Sequence, residues 1–368
     1  MTQTSDSKRL ASIDVLRGFD MFFLVGAGDI LRNLFRALGY TNDDFILNQL
    51  GHNWSGFTAW DIIMPLFLFT AGLSMPFSFS KYLNGKQGKG KLYIKILKRF
   101  CLLFLLGWIC QGNLLDLNID TFQVYCNTLH AIAFGYLITA LVVLNLHNFK
   151  QQLAVAVSLV LAYWACLTFI PVPGVGSGVF TEDGNLAIYI DRLLLANFVD
   201  GTYYTWTLSS LGFGATVLSG YFAGCLLKNN IDMKRKLRIL SITGVALIAG
   251  GLLWTLQMPM IKPIWSPSMI LLSSGISFLL LALSFLLTDY LQLKGWWVTG
   301  LRIFGLNSIT AYLIYETVWN FKMDVEWLLH GFEQFTGTFF PLLVSVGSFT
   351  VLFLILRFMY KHNIFLKI

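Results

Sequence analysis

The sequence contains 368 residues, of which 56% are hydrophobic and only 12% are charged, and its mean hydropathy is +0.67. Soluble domains carry roughly 25% charged residues, so this composition excludes an ordinary soluble enzyme. The apolar runs are apolar on every face, whereas a membrane β-barrel needs alternating strands of about ten residues. The fold class that the sequence predicts is therefore all-α, as a polytopic transmembrane helix bundle.

Ten apolar stretches are long enough to be membrane-spanning helices. They cover residues 11–31, 58–80, 96–113, 124–146, 152–171, 206–227, 238–256, 267–288, 297–317 and 338–359. No soluble domain of useful size is left over, so we expect a single integral-membrane domain over residues 1–368. Its catalytic N-terminal element is predicted at residues 11–80.

The distribution of lysine and arginine predicts the orientation of the bundle. A cytoplasmic N-terminus places 19 of the 26 Lys and Arg residues on the cytoplasmic side and five on the outer side. Cytoplasmic loops are enriched in these residues, so both termini are predicted to be cytoplasmic. The net charge of +7 follows from this bias, and we expect the lipid bilayer, but no nucleic acid, as a partner.

A candidate site lies where the second stretch begins. The loop G-H-N-W-S-G-F places His52 just outside the membrane, beside Asn53 and Trp54, which suit an interfacial pocket. Asp61 follows about one turn inside the helix. This carboxylate either caps the helix or accepts a hydrogen bond from the imidazole and raises its basicity.

Charged residues also occur inside the predicted spans, where each costs about 2.5–3.5 kcal/mol on insertion scales. Asp14, Arg17 and Asp20 are three residues apart and share one face of the first helix. They form either a stripe of ion pairs or, through Arg17, a site for an anion. Arg302 lies near the same cytoplasmic end, and the basic segment from Lys86 to Arg99 would complete a site for a phosphorylated ligand.

Other polar and small residues have two interpretations each. Asp29, at the outer end of the first span, is a local ion-pair partner or a substrate contact. His130, about two turns inside the fourth span, is a packing residue or part of a polar path. Gly220 and Gly224 predict close helix packing. The five cysteines lack the spacing of metal ligands, so no metal site is expected.

Several segments together resemble a known family. The first is S-I-D-V-L-R-G-F-D-M-F in the first span, and the second is H-N-W-S-G-F-T-A-W-D-I-I-M-P at the start of the second span. Residues 206–220, 262–268 and 304–312 show weaker similarity. The pattern is similar to that of the heparan-α-glucosaminide N-acetyltransferase family. There, a D-x-x-R-G helix precedes an element with a histidine, tryptophan, glycine, aspartate and proline in this order.

The resemblance implies a transmembrane acetyltransferase that takes acetyl from cytosolic acetyl-CoA and transfers it to the amine of a glucosamine-type sugar on the outer face. It implies His52 and Asp61 as catalytic residues. Residues expected to bind the cofactor are Arg17, Arg302, Asn307, Trp265 and Ser268. Residues expected to bind the substrate are Asp29, Asn53, Trp54 and His130. Bacterial members are the most similar, so we expect the inner membrane, with the His52 loop facing the periplasm.

Differences from the family pattern bear on the acceptor more than on the donor. The fourth span reads L-H-A-I where the family often has L-Q-R-I, and Gly28 and Asp29 stand where a polar residue is expected. His52 acts either as a base or through an acetyl-histidine intermediate. Two alternatives remain: an amino-sugar transporter with Asp29, Asp61 and His130 as a proton relay, and an O-acetyltransferase of envelope glycans. Glycine-rich helix faces are compatible with a homodimer.

Overall fold

The computed structural model describes residues 10–83, 89–317 and 321–366. Over these ranges the chain is helical, with no strand beyond one isolated bridge, which confirms the all-α prediction. The helices of the first half are α1 (Ala11–Phe22), α2 (Gly28–Ala37), α3 (Phe45–Gln49), α4 (Ile63–Leu83), α5 (Lys89–Cys110), α6 (Thr128–Asn145), α7 (Phe149–Phe169) and α8 (Leu186–Leu195). Those of the second half are α9 (Ser210–Lys228), α10 (Met233–Trp254), α11 (Pro267–Phe285), α12 (Trp296–Leu306), α13 (Ser308–Glu316), α14 (Phe321–Leu329), α15 (Glu333–Thr336) and α16 (Phe340–Lys361).

Each of the ten predicted stretches coincides with helix, and seven helical segments within the described ranges are long and apolar enough to cross a membrane. The three others are α1, α5 and the α12–α13 pair. Charged side chains on α1 and α5, and the interruption of α12–α13 at Asn307, explain why they fall short of that criterion. The molecule is therefore a multi-pass membrane protein, whereas the number of ten spans stays a prediction.

The first helix and the α12–α13 pair are irregular. A π-helical turn, Phe23–Ala27, joins α1 to α2, so the first helix continues beyond its predicted end to Ala37. α12 ends at Leu306 and α13 begins at Ser308, with Asn307 between them. The amide Nδ2 of Asn307 donates to the carbonyl of Ile303 at 3.1 Å, which satisfies one acceptor at the break.

The predicted outer connections contain short helices. The 172–205 connection forms α8, whose first turn is capped by Asn185: its side-chain oxygen accepts a hydrogen bond from Ile188 N at 2.9 Å. The 32–57 connection includes the end of α2 and all of α3, and residues 321–336 include α14 and α15. These helices fall between the predicted spans, because they are too short or too polar to be read as spans.

Glycines allow the central helices to cross at backbone contact. A Cβ atom on Gly72 of α4 would lie 1.9 Å from the carbonyl oxygen of Val217, and one on Gly220 of α9 would lie 2.0 Å from that of Phe69. The packing interpretation of Gly220 is therefore confirmed. A Cβ on Gly18 of α1 would likewise lie 1.8 Å from the carbonyl oxygen of Leu301 on α12. No side chain larger than hydrogen fits at such crossings.

The segments predicted to be outside meet at one end of the bundle. Gly56 N donates to Met260 O at 2.9 Å, Thr205 N to Pro263 O at 2.9 Å, and Val124 N to Phe198 O at 3.1 Å. At the other end, the Asp289 carboxylate accepts hydrogen bonds from the first backbone amides of α1. The end that carries His52 is called the His52 end below. The prediction that it faces the periplasm stays a prediction.

Candidate active site

The loop that carries His52 is fixed on both sides. Arg32 Nη2 donates to the carbonyl of Leu50 at 2.7 Å, and Thr58 Oγ1 donates to the carbonyl of Gly51 at 2.7 Å. Gly56 has φ +104°, a left-handed conformation that favours glycine, and its amide joins the loop to Met260. His52 therefore projects from a braced turn, with 43% of its side chain exposed.

Asp61 caps its helix and binds the imidazole at the same time. The Thr58 backbone amide donates to Asp61 Oδ2 at 2.9 Å, which is the carboxylate half of a capping box. Asp61 Oδ1 lies 2.8 Å from His52 Nδ1. Because an ionised carboxylate only accepts hydrogen bonds, Nδ1 carries the proton and Nε2 keeps its lone pair. The two interpretations of Asp61 thus hold together.

Lys262 completes the cluster, and the sequence did not single it out. Its Nζ atom lies 3.4 Å from Asp61 Oδ1, 3.2 Å from His52 Nδ1 and 3.5 Å from His52 Nε2. The Lys262 side chain is 5% exposed and that of Asp61 1%, so these two opposite charges face each other in a nearly dry environment. The ammonium is aimed at the imidazole and the carboxylate together.

The turn before α11 holds Lys262 in place. Trp265 N donates to Lys262 O at 2.8 Å, and the Ser266 hydroxyl caps α11 while it accepts a hydrogen bond from Ile261 N at 3.0 Å. Trp265 is buried with φ +51°, and its indole donates to Thr216 Oγ1 at 3.2 Å. Ser268 Oγ donates to Pro259 O at 3.1 Å. Trp265 and Ser268 were predicted to bind the cofactor. In the structure they belong to the turn and helix start that hold Lys262 in position.

Burial and neighbouring charges shift the pKa values of His52 and Lys262. Burial is the largest influence on His52 and lowers its pKa below 6.5; the hydrogen bond with Asp61 opposes this and the Lys262 charge adds to it. Burial also lowers the pKa of Lys262, to about 8, against the opposing effect of Asp61. Near pH 7 the cluster therefore combines a neutral imidazole with an ammonium ion.

His52 and Lys262 open into a cavity of about 430 Å³, the outer cavity. Aromatic rings and hydrogen-bonding groups line it. They include Trp60, Tyr204, Trp206, Gln111, Gln123, Asn127, Asp200, Tyr312 and Glu316. The Tyr204 ring lies 6.4 Å from the His52 ring and stacks on Trp206 at 6.1 Å. Amides, carboxylates and aromatic faces are the groups that bind a sugar, so the cavity suits a saccharide with a basic group.

A second cavity, of about 400 Å³, lies toward the other end of the bundle and is called the inner cavity. Arg17, Arg302 and Arg99 line it, together with Asp14. The close crossing at Gly18 brings Arg17 of α1 beside Arg302 of α12. Three guanidinium groups against one carboxylate fit a polyanion such as the phosphates of acetyl-CoA. The structure thus brings the predicted pair Arg17 and Arg302 together.

Four other residues predicted for the site are not among the described residues that line these two cavities: Asn53, Trp54, His130 and Asn307. Asn53 donates to Asn48 Oδ1 at 3.0 Å, and the Trp54 indole donates to Phe180 O at 3.1 Å. His130 stacks on Phe104 at 4.3 Å, with Nε2 3.0 Å from the Phe104 carbonyl. Asn307 is buried between Leu306 and Ser308, which do line the inner cavity. The roles assigned to these residues stay predictions.

Asp29 belongs to a neighbouring cavity of about 320 Å³. Its carboxylate accepts a hydrogen bond from Arg32 at 3.0 Å, from Tyr315 at 2.9 Å and from Lys322. Glu316 lines both this cavity and the outer one. Asp29, Asp61 and His130, the three groups of the alternative proton relay, therefore do not share one of these cavities.

Comparison with known proteins shows which family and which relative the chain is similar to. The model of a family described as heparan-alpha-glucosaminide N-acetyltransferase, catalytic, matches residues 9–244. Heparan-alpha-glucosaminide N-acetyltransferase of Mus musculus is 23% identical over 441 aligned positions, covering 100% of this chain and 62% of the mouse protein. The chain thus spans about three fifths of the length of this relative. His52 and Asp61 fall inside the matched family range, whereas Lys262 lies beyond it.

Proposed function

The chain belongs to the heparan-α-glucosaminide N-acetyltransferase family, and on that premise we propose that it transfers an acetyl group across the membrane. The donor is cytosolic acetyl-CoA and the acceptor is the amine of a glucosamine-type sugar on the outer face. The observation that carries this proposal is the His52–Asp61–Lys262 cluster at the mouth of one cavity, with an arginine-lined cavity at the opposite end.

The inner cavity is the proposed site for the phosphates of the donor. Arg17, Arg99 and Arg302 offer planar, permanently charged donors that match phosphate geometry. When bound, acetyl-CoA supplies the thioester that is to be attacked. A large anion of this kind does not cross a bilayer by itself. Binding it with its phosphates at the cytosolic end allows only the acetyl group to reach the outer face.

His52 is the proposed general base. Asp61 holds the Nδ1–H tautomer, so Nε2 is free to take a proton from the acceptor amine as it attacks the thioester carbon. The carbon–sulfur bond then breaks and the proton is available to the leaving thiolate. A pKa below 6.5 keeps the imidazole in its neutral, proton-accepting form at physiological pH.

Lys262 is proposed to stabilise the charge that develops during transfer. Its ammonium lies 3.5 Å from Nε2, the atom around which the reacting groups gather. A preorganised positive charge in a site with little water stabilises an oxyanion more strongly than it would in bulk water. The ammonium also disfavours a second proton on His52, so the base stays available.

The acceptor is proposed to bind in the outer cavity. Asp200 and Glu316 give this cavity two carboxyl groups, which are hydrogen-bond acceptors for an amine. Tyr204 offers an aromatic face next to His52 for the apolar side of a sugar ring. The protein is proposed to work in the bacterial inner membrane with this cavity open to the periplasm.

The test replaces His52 with alanine in the purified, detergent-solubilised protein. We expect His52→Ala to lower acetyl transfer to glucosamine by about 10²–10⁴-fold, because that is the usual contribution of a general base. Acetyl-CoA should still raise the thermal midpoint as it does in the parent, since the ligand stabilises the folded state by mass action. Product formation is followed by mass spectrometry.

The matched control is His330→Ala. This histidine lies in the connection before α16, with its side chain 74% exposed and its Nδ1 atom 3.2 Å from Glu333. Its loss should leave transfer unchanged. Parental activity in His52→Ala would exclude His52 as the base. A parent protein that acetyl-CoA does not stabilise, and that forms no product, would instead contradict the acetyltransferase proposal itself.

A further inference from the structure

The outer and inner cavities meet at one aromatic side chain. Among the described residues that line them, Phe67 is common to both. We propose that Phe67, packed against Tyr312, is the partition between the two cavities, and that the thioester arm of the donor reaches His52 by passing beside its ring. The passage part of this inference rests on the proposed function, whereas the partition itself does not.

One face of α4 runs past both cavities in order. Met64 lines the outer cavity, Phe67 lines both, and Thr70, Ala71 and Ser74 line the inner one. These positions recur every three or four residues, so they share one face of the helix. From Met64 to Ser74 the helix rises about 15 Å, at about 1.5 Å per residue. The two cavities therefore follow one another along the axis of α4, with Phe67 at their boundary.

The α12–α13 pair forms a matching wall. Arg302 and Leu306 of α12, with Ile309 of α13, line the inner cavity, and Tyr312 and Glu316 of α13 line the outer one. The change from inner to outer lining thus falls between residues 309 and 312. That is the level at which the Tyr312 ring meets Phe67, with ring centroids 6.4 Å apart and the planes at 75°.

The rings are packed tightly enough to divide the path. Phe67 is 9% exposed and Tyr312 4% exposed, although both line cavities. In the proposed partition, this edge-to-face pair closes the path between the arginines of the inner cavity and His52. A side-chain rotation of Phe67 is the smallest movement that would join the two spaces, and rotations of this kind are fast compared with helix motion.

Cysteine labelling tests the partition without any donor. In a background whose native cysteines are replaced, Ser74→Cys reports on the inner cavity and Gln111→Cys on the outer one. A charged methanethiosulfonate that does not cross membranes is added to one side of sealed vesicles. We expect the two positions to react from opposite sides. Phe67→Ala should raise the reaction of Ser74→Cys from the His52 end at least tenfold.

Phe69→Ala is the matched control. Phe69 lies on the same helix and is fully buried, but it packs on Phe278 at 5.2 Å and, of the cavities considered, lines neither. Its loss should leave the reaction of Ser74→Cys confined to one side. The partition is excluded if Ser74→Cys reacts from the His52 end while Phe67 is intact. It is equally excluded if Phe69→Ala opens the path as much as Phe67→Ala does.

A second variant tests the passage of the donor. Phe67→Trp should narrow the boundary, so acetyl transfer to glucosamine should fall at least tenfold while binding of adenosine 3′,5′-bisphosphate stays within twofold of the parent. Parental transfer by a folded Phe67→Trp variant would overturn this part of the inference. If the parent itself binds no coenzyme A and transfers no acetyl, the proposed function fails, and the labelling result still decides the partition.

Discussion

At the scale of single residues, the candidate site combines two buried charged side chains with one accessible imidazole ring. Asp61 and Lys262 are almost inaccessible, whereas 43% of the His52 side chain is exposed. The buried pair therefore influences the proton position and charge state of the imidazole, which is the proposed contact with the substrate. In the proposed mechanism the rate depends on the ionisation of His52 and Lys262, and the pKa values of both are lowered.

A pH profile tests that dependence. His52 must be neutral and its pKa lies below 6.5, so kcat/KM should persist below pH 6.5 before it falls. Lys262 must be charged and its pKa is about 8, so kcat/KM should fall again as the pH rises through about 8. Lys262→Arg should remove this alkaline fall, because a guanidinium stays protonated throughout. Initial rates between pH 5 and 9.5 give both profiles.

Using the same acceptor for both enzymes is the control, since titration of the acceptor amine then affects the two profiles equally. If kcat/KM falls over the same alkaline pH range in the parent and in Lys262→Arg, the charge of the lysine does not govern the rate. A variant with lower activity at every pH but no alkaline fall would still agree with the proposed role.

Sequence reasoning found the part of the cluster that is local. His52 and Asp61 are nine residues apart, and T-A-W-D is a recognisable helix start that places the carboxylate next to the preceding loop. Lys262 is 210 residues from His52, so only the packing of α4, α9 and α11 reveals it. Its local signals are a lysine in a short turn rich in proline and tryptophan and its place at the start of the 262–268 segment that resembles the family. Gly28 was described above as a difference from the family pattern. A Cβ atom at this position would lie 2.0 Å from the Trp60 ring.

At the scale of helices, backbone contact between α1 and α12 assembles the arginine cavity. The glycine that follows Arg17 in D-x-x-R-G meets the carbonyl of Leu301, and Gly305 meets that of Asp14, where added Cβ atoms would lie at 1.8 Å and 2.0 Å. The glycine of the motif therefore permits the crossing, and the crossing brings the arginines of two helices to one cavity. The motif has a packing role as well as a charge role.

Gly18→Ala tests this crossing. The added methyl must separate α1 from α12, and such overpacking typically costs about 1–3 kcal/mol. We expect a lower thermal midpoint in detergent and a smaller stabilisation by coenzyme A, because Arg17 and Arg302 move apart. Differential scanning fluorimetry with and without coenzyme A measures both.

Gly300→Ala is the control on α12, the other helix of this crossing, because a Cβ atom there has nothing within 4 Å. It should leave the coenzyme A response intact. Equal thermal midpoints and equal responses for Gly18→Ala and Gly300→Ala would contradict the crossing as the origin of the cavity.

The helices themselves were largely predictable, but their interruptions were not. Hydropathy and length located the apolar stretches because a bilayer imposes both. The π-helical turn at Phe23–Ala27 and the break at Asn307 carry no proline. Gly26 lies in the turn and Gly305 lies just before the break, and each packs closely against a neighbouring helix. Ser308, which follows the break, lines the inner cavity, so this helix interruption lies at a candidate binding site.

At the scale of the whole molecule, the proposal requires the two ends of the bundle to face different compartments. Ser55 lies on the exposed His52 loop, and Asn230 lies in the exposed turn between α9 and α10. In a cysteine-free background, Ser55→Cys should react with an impermeant maleimide in intact cells, whereas Asn230→Cys should react only after lysis. The positive-inside rule gives the direction of this expectation.

Asn363→Cys, exposed after α16, serves as a second marker for the cytosolic side. Reaction of Ser55→Cys only after lysis would place His52 in the cytosol and would remove the basis for chemistry across the membrane. Mass-shift gels of the labelled protein read both markers in one experiment. The charge count that predicts this topology uses residues from the whole chain, including Lys8, Arg9 and Lys86, which lie outside the described residues.

Asp61 and Lys262 come from distant parts of the chain and neutralise each other in a dry pocket. Removing one partner of such a pair leaves a lone buried charge and typically costs about 3–5 kcal/mol, whereas exchanging both for neutral groups of similar volume is often tolerated. Lineages that inherit this bundle are therefore constrained to keep or abandon the two positions together. A descendant that had lost only the lysine would keep the hydrogen bonds from Thr58 and His52 to Asp61, but the buried carboxylate would have no cation beside it.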